Sequence, residues 1–227
     1  MTDGQLRRLW DAAAAVRPGG QIVEIGSFRG RSAIVLACAA PEGTTVVAID
    51  PHAGGDRGPG EIAGEPARGE SDHAVFTANL AAAGVTQNVR HVRAMSDAAH
   101  ESVAGEIDLL HVDGAHRYVP ARNDIADWGA RVRPGGSMLI HDSFSSVGVT
   151  GAQLRLLFFS KRFRYLDRTA SLAEYRREDL PGSARLRNAG RQLAQLPWFA
   201  RNVAVKVLLT LRLRRAARAL GAERWPY

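Results

Sequence analysis

Apolar residues in this chain fall into short β-branched runs separated by longer stretches with helical spacing. Five runs have the length and composition of buried strands, at positions 21–25, 44–49, 89–95, 107–113 and 137–140. Before and between them, apolar residues recur every three or four positions, which predicts helices at 2–16, 32–40, 73–83, 118–132 and 149–159. Near-continuous apolar strands that alternate with helices are typical of a parallel sheet covered on both faces. Two further β-like runs within 160–177 predict an antiparallel hairpin.

The first strand ends near an acid and runs into a glycine-containing turn. The segment Gln21–Arg31 reads Q-I-V-E-I-G-S-F-R-G-R, so Glu24 is followed by Gly26 and Gly30. Gly26 permits a sharp turn close to a ligand, and Gly30 permits close packing of the next helix, whose first N–H groups face that ligand. A dinucleotide fingerprint would need a further glycine where Phe28 stands, so the turn predicts a different small ligand. The alternative is a strand, turn and helix with chance glycines.

The second strand ends at Asp50. An acid at this position is placed to accept hydrogen bonds from both hydroxyls of a ribose; the alternative is an aspartate that caps the following segment. The segment 51–72 is rich in glycine, proline and charge and has no apolar periodicity, which predicts a long loop and favours a lid over a ligand. His52 lies in this segment, and two interpretations are open: it contacts the substrate, or it is a solvated loop histidine.

The fourth and fifth strands each deliver a histidine and an aspartate. The fourth runs into Asp113-Gly-Ala-His116, and the fifth ends in His141-Asp142. Because ligands bind outside the carboxyl ends of parallel strands, these side chains should meet at one edge of the sheet. Two adjacent carboxylates repel unless a proton or a cation lies between them.

A divalent cation satisfies this arrangement. Asp113 and Asp142 are predicted ligands of a hard ion such as magnesium, manganese or calcium, with His141 as a third ligand. His116 is the predicted catalytic base, since an imidazole can take a proton from a hydroxyl near neutral pH. The alternative is that Asp113 only lines a cofactor pocket, His116 bonds to the backbone and Asp142 caps a helix.

Four segments together resemble class I S-adenosylmethionine-dependent methyltransferases, in particular macrocin-type and rhamnosyl O-methyltransferases. They are I-V-E-I-G-S-F-R-G-R-S, V-V-A-I-D, L-L-H-V-D-G-A-H-R-Y and R-P-G-G-S-M-L-I-H-D. The resemblance implies an α/β fold, a Rossmann-like doubly wound sheet of seven mostly parallel strands with a closing antiparallel hairpin. It also implies methyl transfer from S-adenosylmethionine to a hydroxyl of a sugar, glycolipid or natural product, with Mg²⁺ in the characterised members. In metal-dependent relatives the fifth strand ends in two acids, where this chain has His141-Asp142.

The same resemblance implies a set of cofactor contacts. The glycine turn would hold the amino-acid part of the cofactor, the second strand its ribose, and the end of the third strand its adenine. The residues concerned are Glu24, Gly26, Ser27, Gly30, Ser32, Asp50, Ser96, Asp97 and Asp113. For Ser96 and Asp97 the alternative is a plain helix cap.

The positive charge of the chain is concentrated at its end. The formal net charge is +7, but residues from Ser183 onward carry +9 and the rest carries −2. We therefore expect a methyltransferase domain at 1–180 and a basic helical C-terminal extension at 181–227. Cys38 is the single cysteine, which excludes an internal disulfide, and no run approaches the ~20 apolar residues of a membrane span. These features predict a cytoplasmic protein.

The extension allows three interpretations. A helix from Pro197 would dock on the body or on a second subunit of a homo-oligomer; it would lie on an anionic membrane, which suits a glycolipid acceptor; or it would contact nucleic acid. Sparse aromatic residues make nucleic acid the weakest interpretation, so none is expected as a partner. Two rival functions stay open: a metal-independent N- or RNA methyltransferase, and a catalytically silent cofactor-binding module that assembles through its tail.

Overall fold

The centre of the molecule is one mixed sheet. The computed structural model describes residues 1–55 and 63–221. Its strands are β1 Gln21–Ile25, β2 Thr45–Ile49, β3 Val89–Val92, β4 Ile107–Val112, β5 Val132–Ile140, β6 Phe163–Thr169 and β7 Leu172–Arg177. Their order is β3-β2-β1-β4-β5-β7-β6, parallel from β1 to β5, with β7 antiparallel to both of its neighbours. The predicted seven-stranded doubly wound sheet with its closing hairpin is confirmed.

Helices cover both faces of the sheet. They are α1 Asp3–Ala14, α2 Arg31–Ala39, α3 Pro66–Ala82, α4 Tyr118–Asn123, α5 Val147–Leu156, α6 Gly182–Leu193, α7 Leu196–Thr210 and α8 Arg214–Ala219. A π-helical turn, Asp124–Trp128, and a 3₁₀ turn, Gly129–Arg131, continue α4 into β5. Two short 3₁₀ turns, Ser96–Ala98 and His100–Ser102, follow β3.

Alternate strand residues point to opposite faces and make two apolar cores. Val23 and Leu110 lie in the core that includes Trp128, whereas Ile22 and Leu109 lie in the core that includes Leu9 of α1. Burying this apolar surface is what holds helices to both faces.

Helix α3 differs from the sequence prediction. It begins at Pro66, not at His73, so the predicted loop 51–72 is helical over its last residues. Gly69 suggested a loop, but a Cβ at this position would lie 1.9 Å from the carbonyl oxygen of His52. The glycine therefore lets the helix pack directly on the backbone after β2. The middle of the predicted lid, 56–62, lies outside the described residues.

Strand β5 also differs from the prediction, because it starts at Val132 instead of Ser137. The Arg-Pro-Gly-Gly segment 133–136, which follows the predicted helix 118–132, lies within the strand, where the pairing register with β4 shifts. A Cβ on Gly136 would lie 2.9 Å from the carbonyl oxygen of Asp108, so the bulged backbone passes close to β4.

The C-terminal extension packs on the body of the protein. On α6, the buried Asn188 accepts a hydrogen bond from the backbone N–H of Tyr165 at 2.7 Å. On α7, Val205 is fully buried and Trp198 packs against the apolar core. None of the helices within 1–55 and 63–221 combines the length and apolarity of a membrane span.

Candidate active site

The glycine turn between β1 and α2 fits against the end of β4. Gly26 has φ +87°, and a Cβ on it would lie 2.2 Å from the carbonyl oxygen of Asp113. The close approach that was expected for a ligand is thus made by the protein's own backbone. Gly30, with φ +84°, caps α2 and faces Phe76 of α3, so its predicted packing role is present. Their N–H groups donate to the carbonyls of Ile49 and Ser27, both at 2.8 Å.

Two buried oxygens beside this turn lack a partner. Glu24 on β1 is fully buried, and its Oε1 lies 3.1 Å from Nδ1 of His111, the facing residue of β4. Within the described parts of the chain, Glu24 Oε2 and Ser27 Oγ make no hydrogen bond, although both are buried. Buried polar atoms are normally satisfied, so both oxygens fit a ligand that carries hydrogen-bond donors, such as the ammonium group of an amino acid. Ser32 is buried in the first turn of α2.

The carboxylate of Asp50 organises the backbone after two strands. Its Oδ2 accepts from the N–H of Phe28 at 2.7 Å, and its Oδ1 accepts from the N–H of His52 at 2.7 Å. These are capping contacts, and each carboxylate oxygen keeps a further lone pair that can accept another hydrogen bond. His52 is buried, with Nε2 2.8 Å from the carbonyl oxygen of Phe28, so it is not the solvated loop histidine that the sequence allowed.

The end of β3 is tied to the segment after α4. Ser96 Oγ donates to Asp124 Oδ1 at 2.5 Å, while Asp97 is exposed. Burial raises the pKa of Asp124 to about 6; the hydrogen bond from Ser96 opposes this shift, and the nearby Asp97 and Asp127 add to it. Asp124 was not predicted as a site residue.

The ends of β4 and β5 bring four titratable side chains together. His141 Nδ1 lies 3.0 Å from Asp113 Oδ1 and 3.6 Å from Asp142 Oδ1. His116 Nε2 lies 3.0 Å from Asp142 Oδ2. His141 and Asp142 are buried, whereas the side chain of His116 is 39% exposed. The structure therefore places all four predicted residues at one edge of the sheet.

An imidazole stands between the two carboxylates where the sequence predicted a cation. Burial alone would lower the pKa of His141, but the carboxylates of Asp113 and Asp142 outweigh it and raise that pKa. For Asp113 the directions are reversed. Burial alone would raise its pKa, but the contact with His141 lowers that pKa below its ordinary value. The protonated imidazole is thus favoured, and it supplies positive charge between the two acids.

The side chains that converge on one point differ from the predicted metal ligands. Asp113, His116 and His141 each offer a ligand atom, and these atoms lie within 4.8 Å of one another. Asp142 lies outside this group and contacts His116. The predicted set was Asp113, His141 and Asp142, so His116 takes the place of one acid.

Several supporting residues could not be assigned from the sequence. His111 had one usable signal: it is a polar residue in a buried strand, paired in register with Glu24. The ion pair between Arg29 and the buried Asp72, at 2.9 Å, depends on the early start of α3 and had no such signal. Asn79 of the same helix donates to the carbonyl of Arg29 at 2.8 Å, so α3 holds the glycine turn from outside.

This sheet, with an acid in β1, a glycine turn after it and acids at the ends of β2 and β4, defines a class I S-adenosylmethionine-dependent methyltransferase. The sequence matches the model of a family described as a methyltransferase domain over residues 23–143, slightly more than half of the chain, and the chain belongs to that family.

Solved structures show the same fold. Cofactor-bound Rv0187 from MTB is 20% identical, with a TM-score of 0.58, 79% of this chain covered and 82% of that chain. The O-methyltransferase NovP is 17% identical, with a TM-score of 0.57 and coverages of 77% and 79%. An rRNA methylase from Streptococcus thermophilus is 16% identical, with a TM-score of 0.54 and coverages of 80% and 99%. At these identities the likeness concerns the fold.

Proposed function

We propose that this methyltransferase acts on a hydroxyl group of a small molecule, namely a sugar, a glycolipid or a natural product, with His116 as the base. The observation that carries the proposal is the pair of His116 and Asp142: a partly exposed imidazole lies 3.0 Å from a buried carboxylate. A carboxylate beside one ring nitrogen fixes the orientation of the ring. The other nitrogen, Nδ1, then serves the acceptor.

The structural likenesses do not choose between acceptors, because they include both an O-methyltransferase and an rRNA methylase. The chemistry of the site favours a hydroxyl. A hydroxyl must lose its proton as it is methylated, so a base beside the acceptor is useful. The resemblance of the four sequence segments to macrocin-type and rhamnosyl O-methyltransferases favours the same class of acceptor.

Bound S-adenosylmethionine supplies an electrophilic methyl group on a positively charged sulfur. In that reaction the acceptor oxygen would bond to the methyl carbon, and the electron pair of the broken carbon–sulfur bond would stay on sulfur. His116 takes the hydroxyl proton. Glu24 and Ser27 would hold the amino group of the cofactor with their unpartnered oxygens, and Asp50 would hold its ribose.

The donor set at the site fits a divalent ion only in part. Asp113, His116 and His141 supply one carboxylate and two imidazoles, and His141 Nε2 is buried without a hydrogen-bond partner among the described residues. Imidazole suits zinc, iron, nickel and copper, whereas Mg²⁺ prefers oxygen ligands. A metal on His116 would also compete with its role as base. We therefore propose the metal-free base as the first hypothesis, with an imidazole-binding ion as the second.

The test measures cofactor binding and turnover separately. Calorimetry gives the Kd of S-adenosylmethionine, and release of S-adenosylhomocysteine reports turnover on sugars, a glycolipid, a phenolic natural product and an RNA transcript. His116→Ala and His116→Gln should keep the Kd within about threefold and lose between about 10² and 10⁴ of the turnover. Turnover on the small hydroxylated acceptors that survives either substitution would overturn the assignment of the base.

Two further outcomes separate the rivals. Turnover with RNA alone would favour an RNA methyltransferase, and tight cofactor binding without turnover on any acceptor would favour a silent module. Activity that disappears after chelation and returns with Zn²⁺ or Ni²⁺ more readily than with Mg²⁺ would favour the metal hypothesis.

A further inference from the structure

The loop after β5, residues 141–146, has a backbone that needs support. Asp142 and Phe144 both have φ +54°, in the left-handed region that residues other than glycine rarely adopt. Such conformations persist when the surrounding structure fixes them, and they are concentrated at functional sites. Asp142 is also the residue that contacts His116, so whatever holds this loop also sets the position of that carboxylate.

The same loop fixes the backbone of His116. Ser146 Oγ donates to the carbonyl oxygen of His116 at 3.1 Å. Gly148, at the start of α5, packs so closely that a Cβ on it would lie 2.2 Å from that oxygen. The loop and α5 therefore fix the main chain of His116, whereas the carboxylate of Asp142 contacts the imidazole ring of His116.

Helix α7 of the C-terminal extension holds this loop from the other side. Asn202 is fully buried, and its Nδ2 donates to the carbonyl oxygen of Phe144 at 3.2 Å. Lys206, one helical turn later, donates from Nζ to the carbonyl oxygen of Ser145 at 3.0 Å. Burial lowers the pKa of Lys206, and the carboxylate of Asp142 opposes that shift.

We infer that Asn202 and Lys206 are positioning residues for catalysis: through the 141–146 loop, the C-terminal extension holds Asp142 and His116 in their working geometry. Neither residue needs to touch the substrate. The inference rests on the proposed role of His116 as base. It gives the basic extension a function in the methyl transfer reaction itself, in addition to any role as a contact surface.

The extension provides a matched control for each substitution. Asn188 on α6 is buried like Asn202, but its side chain bonds to the backbone of Tyr165 and Phe163 in β6. Arg215 on α8 is an exposed cation, so Arg215→Met removes the same charge as Lys206→Met. If the extension served only stability, each pair would behave alike.

Turnover is measured on the folded full-length protein below its unfolding transition. Asn202→Ala and Lys206→Met should lower kcat by roughly 10- to 100-fold, the scale expected when a catalytic group is misplaced. The KM for S-adenosylmethionine should stay within about threefold. Asn188→Ala and Arg215→Met should leave kcat within about twofold, and Lys206→Arg should recover much of the loss.

A second measurement does not require a known acceptor. Imidazole NMR signals of His116, identified by their loss in His116→Gln, should shift or broaden in Asn202→Ala and stay in place in Asn188→Ala. Signals that move equally in both variants, or in neither, would overturn the inference. If His116→Gln leaves turnover intact, the proposed base has failed; if it abolishes turnover while Asn202→Ala behaves like Asn188→Ala, only the positioning inference has failed.

Discussion

Substitution of Gly26 by alanine tests the contact that joins the glycine turn to the end of β4. Gly26 and Gly84 have left-handed φ angles of +87° and +70°, but a Cβ on Gly26 would lie 2.2 Å from the carbonyl oxygen of Asp113, whereas a Cβ on Gly84 would meet nothing within 4 Å. Both alanines carry the left-handed penalty of about 1–2 kcal/mol. Only Gly26→Ala adds an overpacking cost of about 1–3 kcal/mol.

We therefore expect Gly84→Ala to lower the free energy of unfolding by about 1–2 kcal/mol and Gly26→Ala by roughly 2–5 kcal/mol. Urea denaturation followed by circular dichroism measures both values under identical conditions. Because the backbone of Asp113 must move to admit the new methyl group, Gly26→Ala should also weaken S-adenosylmethionine binding by about tenfold or more, while Gly84→Ala should not. Equal destabilisation of the two variants, with unchanged cofactor binding in both, would refute this reading of the turn.

Three further predictions concern pH and charge. Burial raises the pKa of Asp124 to about 6 from an ordinary 3.8, so ionising this buried carboxyl lowers the free energy of unfolding as pH rises from about 4 to 6. In urea denaturation, Asp124→Asn should have the same free energy of unfolding as the wild type near pH 4. Above pH 7 its free energy of unfolding should be higher by roughly 2–3 kcal/mol. Burial, and after it the nearby His52 and His73, lowers the pKa of His91 to about 4 from 6.5. Neutral His91 therefore stabilises the fold above pH 6.5, and this stabilisation is lost as pH falls toward 4. In His91→Gln the free energy of unfolding should change less with pH in that window, and an unchanged slope would contradict this. The cationic extension should bind phosphatidylserine vesicles in a salt-sensitive way. Exchange of Arg214, Arg215 and Arg218 for glutamine should weaken co-sedimentation with the vesicles. The same exchange at the exposed Arg7, Arg90 and Arg122 should not weaken it, and equal effects would argue against a membrane-facing tail.

The sheet and the location of the site could be predicted because they depend on local sequence. Apolar runs identify β1, β2 and β4, and in a parallel sheet their carboxyl ends must share one edge. The same rule predicts that the ends of the fourth and fifth strands bring together Asp113, His116, His141 and Asp142. The start of α3 could not be predicted in this way, because Gly69 is explained by the carbonyl of His52, which is distant in sequence.

The pairing within the site depends on side-chain directions that sequence order does not determine. The four residues at the ends of β4 and β5 were predicted as a metal site with His116 apart from it, yet His141 lies between Asp113 and Asp142, and His116 contacts Asp142. A charged imidazole solves the same electrostatic problem as a cation, so the repulsion between two acids predicts a positive charge there but not its chemical identity.

The role of the C-terminal extension was also not predictable from its sequence composition. Its basic composition directs attention to partners outside the molecule, since exposed arginines dominate its charge. The residues that bind it to the site are instead the buried Asn202 and the partly buried Lys206, which lie one helical turn apart on the face of α7 that meets the strained loop. A polar residue on an otherwise apolar helix face appears in a sequence only as an interruption of the pattern. The loop that faces α7 has backbone carbonyls without strand partners, and a buried carbonyl must find a hydrogen-bond donor. The polar residues on α7 supply these donors.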